Sequence, residues 1–226
     1  MEQKYLNTVE GLVQKIHKYN KTADTQLLRD AFDFAYKAHE NQLRKSGELY
    51  FEHPLAVSRI LTDLKMDYET ITAGILHDVV EDTEISLEHV QERFGQSVAT
   101  LVDGVTKISE LKLLEVEARQ AENFRKMLLS MVEDIRVILI KFADRLHNMR
   151  TLEHLSERKQ RQIARETKEV YAPLAHRLGL AKIKWELEDL SFKYLEPEFY
   201  KDIQDKIEGK RVEREYVLQQ FSQPLR

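Results

Sequence analysis

The segment HDVVED at residues 77–82 places four groups with acid–base or metal-binding chemistry directly after an apolar stretch. If this segment is helical, Glu81 lies one turn beyond His77 and Asp82 one turn beyond Asp78, so that all four share one broad face. Three carboxylates at the C-terminal end of a helix oppose the helix dipole unless a cation compensates them. The pattern therefore indicates a cation site, with a polar helix end that simply faces solvent as the alternative.

A further carboxylate, Asp144, lies where another apolar stretch turns abruptly polar. Asp144, Asn148 and Thr151 recur at positions i, i+4 and i+7, which places them on one face of a helix. A surface ion pair between Asp144 and Lys141 or Arg145 is the alternative interpretation, and such a pair contributes less than about 1 kcal/mol.

A further candidate ligand, His53, stands directly before Pro54 at the start of another predicted element. Together with His77, Asp78 and Asp144 it makes a set of two imidazoles and two carboxylates. This set suits a borderline-hard divalent ion such as Mn²⁺, Fe²⁺ or Zn²⁺. It also leaves positions for water and for a substrate oxygen, which is the arrangement that metal-assisted hydrolysis requires.

The composition narrows the class of protein that must position these groups. The chain has 226 residues, of which 42% are hydrophobic and 33% charged, with 7 Gly, 4 Pro and no Cys. Few helix breakers and many charges favour a mostly helical protein, and without Cys a metal must rely on His and carboxylate ligands. A net charge of −4 does not indicate nucleic-acid binding. We find neither a membrane-spanning apolar run nor a leader peptide and therefore predict a cytoplasmic location.

Apolar residues at helical spacing predict the elements themselves. Helices are expected over residues 4–19, 24–41, 54–64, 68–82, 97–105, 157–178 and 181–195, with a short helix that starts at Ser86 and ends at Gly95. The β-branched run at 135–140 also fits a strand, but the apolar spacing continues to Leu146 and favours a buried helix. Gly74 within a helix indicates close approach of another helix or a ligand, and the charged stretch 108–123 is expected to be exposed.

Six segments, in this order, resemble the RelA/SpoT alarmone enzymes. They are RKSGE at 44–48, HPLAV at 53–57, HDVVEDT at 77–83, ADRLHNMRTL at 143–152, YAPLAHRLG at 171–179 and WELEDL at 185–190. Leu49 and Phe142 depart from the residues usual in that family, but neither change removes a functional group. The resemblance runs from about residue 25 to about residue 200, and no stretch resembles the synthetase motif of the same family.

This resemblance implies an all-α fold, the HD-domain phosphohydrolase helical bundle. It implies a (p)ppGpp hydrolase that removes the 3′-pyrophosphate, giving GDP or GTP and pyrophosphate in the control of the stringent response. The family usually works with Mn²⁺, which His53, His77, Asp78 and Asp144 would hold. We expect the hydrolase domain to span 1–196 and residues 197–226 to begin a helical connector toward a synthetase domain that this chain lacks.

The family match also suggests roles around the metal. Glu81 and Asp82 are the candidate catalytic groups, because each could accept a proton from the attacking water or orient that water. The substrate-binding candidates are Arg44, Lys45, Ser46, Tyr50, Asn148 and Thr151. Arg44 can stack its guanidinium on the guanine base, with Lys45 and Ser46 in the same loop, while Asn148 and Thr151 are placed to bind ribose or the 3′ group. For Tyr50, the aromatic core is the alternative location.

Two other functions fit parts of this pattern. A non-catalytic sensor would bind the alarmone or another guanine nucleotide and regulate an attached synthetase, but it would not need a metal and water. An HD phosphohydrolase could instead act on another nucleotide, such as a dNTP or a 3′-phosphorylated dinucleotide, and the loop around Arg44 argues against this only through the family resemblance. In each case the expected partner is a small nucleotide, with no nucleic acid and no membrane. Synthetase and regulatory domains of a longer protein are the expected intramolecular partners.

Overall fold

The computed structural model describes residues 3–110 and 134–222, and throughout these ranges the chain is helical with short connecting turns. Within them the extended pairing consists of one isolated antiparallel bridge between Leu43 and Leu49. The predicted all-α fold is therefore confirmed. Residues 111–123 of the charged stretch that we expected to be exposed lie outside the described residues.

The chain divides into two compact units, Met1–Leu155 and Ser156–Arg226. The helices of the first unit are α1 (Gln3–Tyr19), α2 (Thr25–Ala38), α3 (Glu52–Asp63), α4 (Tyr68–Leu76), α5 (Val79–Asp82), α6 (Leu87–Phe94), α7 (Gln96–Glu110) and α8 (Ile135–Arg150), with a 3₁₀ turn at Leu152–His154. Those of the second are α9 (Glu157–Glu166), α10 (Ala172–Arg177), α11 (Ala181–Leu195) and α12 (Pro197–Ser222). The domain boundary that we predicted between 196 and 197 falls between α11 and α12 and stays a prediction.

Several helices of the first unit begin at a side chain that accepts hydrogen bonds from free backbone N–H groups. Asp24 caps α2, Asp67 caps α4, Ser86 caps α6 and Asp134 caps α8. Such caps stabilise a helix by roughly 1 kcal/mol each. They fix where the polar helix ends emerge from the core.

The core of the first unit forms where α3, α4 and α8 pack against one another. A side chain at Gly74 in α4 would overlap Leu61 of α3, so this glycine allows the two helices to approach closely. Gly104 in α7 serves the same purpose against Val137 of α8. The expectation that another helix approaches Gly74 is confirmed. The first turn of α3 and the end of α4 are thereby brought close together.

The predicted helix 68–82 is interrupted at His77 and Asp78, which form a turn between α4 and α5. The His77 ring donates through Nδ1 to Gly74 O at 2.8 Å. An uninterrupted helix would reserve this carbonyl for the N–H of Asp78, so the side chain competes with the backbone. The Asp82 N–H still donates to Asp78 O at 2.8 Å, which preserves the one-turn spacing that we predicted.

In the second unit the predicted helix 157–178 contains a π-helical segment, Thr167–Tyr171, between α9 and α10. The Ala172 N–H donates to Thr167 O, five residues back. Pro173 follows and has no N–H, so the regular hydrogen-bond ladder has to be broken here. The irregularity that we expected at Pro173 is thus a π bulge just before it. Among the described residues, no helix combines the length and apolar character needed to cross a membrane.

Candidate metal centre

Three of the four predicted metal ligands meet inside the first unit. His53 comes from the first turn of α3, His77 from the turn after α4 and Asp144 from α8. Each is nearly fully buried, with 2%, 1% and 5% of its surface exposed. One candidate ligand atom from each lies within 4.8 Å of the other two, close enough for all three to hold one metal ion.

The fourth predicted ligand, Asp78, borders this cluster and is partly exposed. Its Oδ1 lies 2.9 Å from His77 Nε2, and its Oδ2 lies 3.3 Å from His53 Nε2. The carboxylate is therefore close to both imidazoles, and 15% of its side chain is exposed. Its role as a ligand stays a prediction.

Hydrogen bonds on the far side of each imidazole determine which ring nitrogen is available to a metal. A carbonyl oxygen only accepts, so the bond from His77 Nδ1 to Gly74 O requires the proton on Nδ1. The other nitrogen, Nε2, then faces His53 Nε2 at 3.3 Å. In the neutral ring this Nε2 carries a lone pair.

The tautomer of His53 follows from its contact with His147. His147 Nδ1 lies 3.1 Å from Arg44 Nη1 and 2.8 Å from His53 Nδ1. A guanidinium only donates, so His147 Nδ1 must be the acceptor and His53 Nδ1 must carry a proton. Burial, His53 and Arg44 lower the pKa of His147 to about 3, which keeps this acceptor neutral.

Two Nε2 lone pairs therefore converge beside two carboxylates, and this donor set fits a cation. Burial alone would disfavour a charged ring, but Asp78 and Asp144 outweigh it and raise the pKa of His77 to about 9. Imidazole nitrogens and carboxylate oxygens are suitable ligands for a divalent transition metal.

Asp144 is held by two neighbours from its own helix. Lys141 Nζ lies 2.6 Å from Asp144 Oδ2 and donates to Ser109 Oγ at 2.9 Å, while Asn148 Nδ2 donates to Asp144 Oδ1 at 2.6 Å. Although burial opposes ionisation, Lys141 and the histidines hold the pKa of Asp144 far below its usual range. Asp144 and Lys141 do form an ion pair, but both residues are buried, so it is not the exposed surface pair of the alternative interpretation.

Tyr50 contacts the carboxylates of both Asp78 and Asp82. Its hydroxyl oxygen lies 2.7 Å from Asp78 Oδ2 and 2.5 Å from Asp82 Oδ2. A phenol has one proton, so it donates to one of the two at a time. The His39 ring stacks on Tyr50 at a centroid distance of 4.5 Å. Burial and the Asp78 charge raise the pKa of Tyr50, which keeps the hydroxyl protonated. The structure thus places Tyr50 against the carboxylates.

The predicted substrate loop is a tight turn closed by backbone hydrogen bonds. The Arg44 N–H donates to Glu48 O at 2.8 Å, and the Gly47 N–H donates to Arg44 O at 2.9 Å. The positive φ of Gly47, 83°, permits this turn. Lys45 is exposed, and Ser46 Oγ donates to Glu48 at 3.2 Å.

Two contacts of Arg44 join this loop to α8 near the candidate metal ligands. Arg44 Nη2 donates to Asn148 Oδ1 at 3.0 Å, next to the contact of Arg44 with His147. Thr151 instead uses its hydroxyl to donate to His147 O at 3.2 Å. Arg44 and Asn148 therefore lie together beside the candidate metal ligands, while Thr151 caps the end of α8.

The predicted catalytic carboxylates, Glu81 and Asp82, lie in the exposed turn of α5. They line a cleft of about 730 Å³ together with Gln42 and Thr83. Partial burial and the nearby Asp78 charge raise the pKa of Glu81. A carboxylate with a raised pKa is better matched to accepting a proton near neutral pH.

Sequence reasoning did not assign a role to His147 and treated Lys141 only as a possible surface partner. Both lie three residues from Asp144 on the same helix, which places them beside it. This spacing could have identified them. Ser109 and His39 reach the site from α7 and from the end of α2, and nothing in the local sequence marks them.

Known proteins are similar in sequence to this chain over most of its length. A model of the HD domain matches residues 31–181. A probable guanosine-3′,5′-bis(diphosphate) 3′-pyrophosphohydrolase of Synechocystis is 56% identical over 91% of this chain and 27% of its own length. The bifunctional (p)ppGpp synthase/hydrolase SpoT of Escherichia coli is 51% identical over 94% of this chain and 30% of its own. This chain thus spans less than a third of these relatives.

One solved structure is described as a metazoan ortholog of SpoT that hydrolyses ppGpp. It superposes with a TM-score of 0.53 and 27% identity, covering 73% of this chain and 93% of that one. The resemblance to RelA/SpoT enzymes that the sequence motifs predicted is confirmed.

Proposed function

Since this chain belongs to the HD domain family, we propose that it hydrolyses the guanine alarmone (p)ppGpp at its 3′-pyrophosphate. The reaction would give GDP or GTP and pyrophosphate. The observation that carries the proposal is the convergence of His53 Nε2 and His77 Nε2 beside Asp144, because these atoms together can hold a cation. We infer the substrate from the names of two relatives that are 56% and 51% identical to this chain.

His53, His77, Asp78 and Asp144 would hold the ion, and Mn²⁺ is the ion that we propose. The mixture of imidazoles with carboxylates favours such a borderline-hard metal over Mg²⁺ or Ca²⁺. When bound, the ion would polarise a phosphoryl oxygen and lower the pKa of a water molecule toward neutrality. Lys141 keeps Asp144 ionised for this purpose.

Glu81 is the group that we assign to accept the proton of the attacking water, while Asp82 orients that water. The water oxygen bonds to the phosphorus attached to the 3′ oxygen, the bond between that phosphorus and the 3′ oxygen breaks, and the 3′ oxygen takes a proton. Tyr50 contacts both Asp78 and Asp82, so it links Asp82, which orients the water, to the proposed metal ligand Asp78. A base in this position typically contributes 10²–10⁴-fold to the rate.

The nucleotide would bind across the turn at Arg44 and the end of α8. Arg44 presents a planar guanidinium that can stack on guanine, and exposed Lys45 with Ser46 can reach phosphate or base. Asn148 and Thr151 would bind the ribose or the 3′ group, and Tyr50, which contacts Asp78 and Asp82, would contact the nucleotide beside them. A cytoplasmic location, and synthetase and regulatory domains in the longer protein, are parts of the same proposal.

The test is pyrophosphate release from ppGpp by the metal-free protein, measured with and without Mn²⁺ and again after a chelator. We expect release only with Mn²⁺. GTP carrying no 3′ phosphate is the control substrate and should not be cleaved. Tight ppGpp binding without release would instead identify a nucleotide sensor, and faster cleavage of another nucleotide would identify a different HD phosphohydrolase. Either outcome would refute the proposal.

A further inference from the structure

We propose that His147 is a positioning residue that fixes the metal-binding tautomer of His53. The inference rests on the proposed function only in taking His53 as a metal ligand. His147 lies on α8 and contacts Nδ1 of His53, whereas Nε2 of His53 faces His77. We infer this role from the hydrogen-bond geometry on the side of His53 opposite the metal.

A neutral imidazole has two nitrogens, one with a proton and one with a lone pair, and a metal can bind only the second. His53 is buried, with Nε2 toward His77 and Asp144 and Nδ1 toward His147. A proton on Nε2 would therefore block the metal. The partner of Nδ1 decides whether this happens.

His147 acts as an acceptor because of a third group, Arg44. Its guanidinium Nη1 lies 3.1 Å from His147 Nδ1 and can only donate, so this nitrogen cannot carry a proton. His53 Nδ1, 2.8 Å from the same atom, must then supply the hydrogen. The chain of bonds keeps the lone pair of His53 on Nε2.

The tautomer of His77 is also fixed with the proton on Nδ1, but by a backbone group. The His77 Nδ1–H donates to the backbone carbonyl of Gly74, so the main chain of α4 fixes its tautomer. His53 lies in the first turn of α3, and for this ring the acceptor that fixes the tautomer is the side chain of His147. A side-chain acceptor can be removed by substitution, which makes the inference testable. Groups that orient metal-binding histidines in this way typically change metal affinity 10–100-fold when they are lost.

The experiment measures Mn²⁺ affinity in the absence of nucleotide, with free Mn²⁺ quantified by electron paramagnetic resonance. His147→Leu removes the acceptor, while His147→Asn offers an amide oxygen near the position of Nδ1. We expect the dissociation constant to rise about 10–100-fold in H147L and to stay within about threefold of wild type in H147N, which restores the acceptor. His154→Leu, on the 3₁₀ turn at Leu152–His154, is the matched control and should bind Mn²⁺ like the wild type.

A second readout reports the tautomer directly. Long-range ¹H–¹⁵N correlation spectra of the imidazoles, recorded on metal-free and Zn²⁺-loaded wild-type protein, should show His53 with its proton on Nδ1. A neutral His53 ring with its proton on Nε2 in the metal-free wild type, or unchanged Mn²⁺ binding by H147L, would overturn the inference. If H147L does not fold, the wild-type spectrum still decides. Neither measurement uses ppGpp, so the absence of alarmone hydrolysis would refute the proposed function and leave this inference standing.

Discussion

Lys141 Nζ lies 2.6 Å from Asp144 Oδ2, and only 11% and 7% of the two side chains are exposed. A buried carboxylate that loses its cationic partner is costly, typically by about 3–5 kcal/mol. In this cluster a metal ion would supply a further cation to the same carboxylate. The stability of the protein should therefore depend on Lys141 more strongly without metal than with it.

The first prediction follows for Lys141→Met, which removes the charge and keeps most of the side-chain volume. We expect the free energy of unfolding of the metal-free protein to fall by about 3 kcal/mol, and Mn²⁺ to restore part of this loss. Urea denaturation with and without Mn²⁺ measures both effects. Lys37→Met breaks an exposed i,i+4 pair with Asp33 and should cost less than about 1 kcal/mol under either condition. If K141M lost the same free energy of unfolding with and without Mn²⁺, Lys141 and the metal ion would not both stabilise the Asp144 carboxylate, and the prediction would be wrong.

The second prediction concerns the proposed base. Glu81→Gln should lower kcat for ppGpp about 10²–10⁴-fold, because the amide cannot accept the proton. Binding of ppGpp by the same variant should change little, which calorimetry can measure. Glu84→Gln changes another acidic residue of the same cleft and should leave kcat unaffected. Normal turnover by E81Q would remove Glu81 from the mechanism.

The third prediction compares two glycines within helices. Gly74→Ala places a methyl group on Leu61 at the contact of α4 with α3 and should destabilise the protein by about 1–3 kcal/mol. A methyl group at Gly11 in α1 would meet no atom within 4 Å, so Gly11→Ala should stabilise by up to about 1 kcal/mol. Urea denaturation of the two variants distinguishes them. Stabilisation by G74A would show that the two helices can separate at little cost.

The fourth prediction is a pH dependence of stability at the start of α8. Arg136 donates to Asp134 and lowers the pKa of that carboxyl, and it also reaches Glu69 of α4 at 3.1 Å. A lowered pKa in the folded state gives stability that is present above the unfolded pKa of about 4 and is lost as pH falls through the folded value. The pair is partly exposed to solvent, so its contribution should be less than about 1 kcal/mol.

Asp134→Asn tests this pH dependence, because the amide keeps an acceptor for the helix cap and removes the charge. The difference in unfolding free energy between wild type and D134N should be largest near pH 7 and shrink as pH falls below about 4. Urea denaturation at a series of pH values measures it. Asp33→Asn, at an exposed pair on α2, is the control. A difference that grows toward low pH would contradict the sign of the effect.

Much of the fold could be predicted from apolar spacing, because each helix buries one regular face. The run at 135–140 shows this: its β-branched residues fit a strand, yet the spacing up to Leu146 correctly favoured a helix. What spacing could not reveal was the competition for backbone acceptors. The turn at His77 and the π segment before Pro173 both arise where a side chain or a missing N–H disturbs the helical ladder.

For the site, the sequence identified groups that can bind a metal but not the contacts that orient them. His53, His77 and Asp144 were predicted as ligands, and they come together. The contact of His147 with His53 joins residues 94 positions apart, and the contact of Arg44 with His147 spans 103. No local pattern encodes such pairs, because they depend on how α3 and the Arg44 turn pack against α8.

The three buried candidate ligands come from three different elements of the chain: α3, the turn after α4, and α8. Proteins open locally, in cooperative units that each have their own free energy. A transient opening of any one of these three elements would dismantle the cluster, even while the rest of the unit stayed folded. The lifetime of the intact site is therefore set by whichever element opens most easily. Amide hydrogen exchange, measured element by element, would identify that weakest element before global unfolding is detectable.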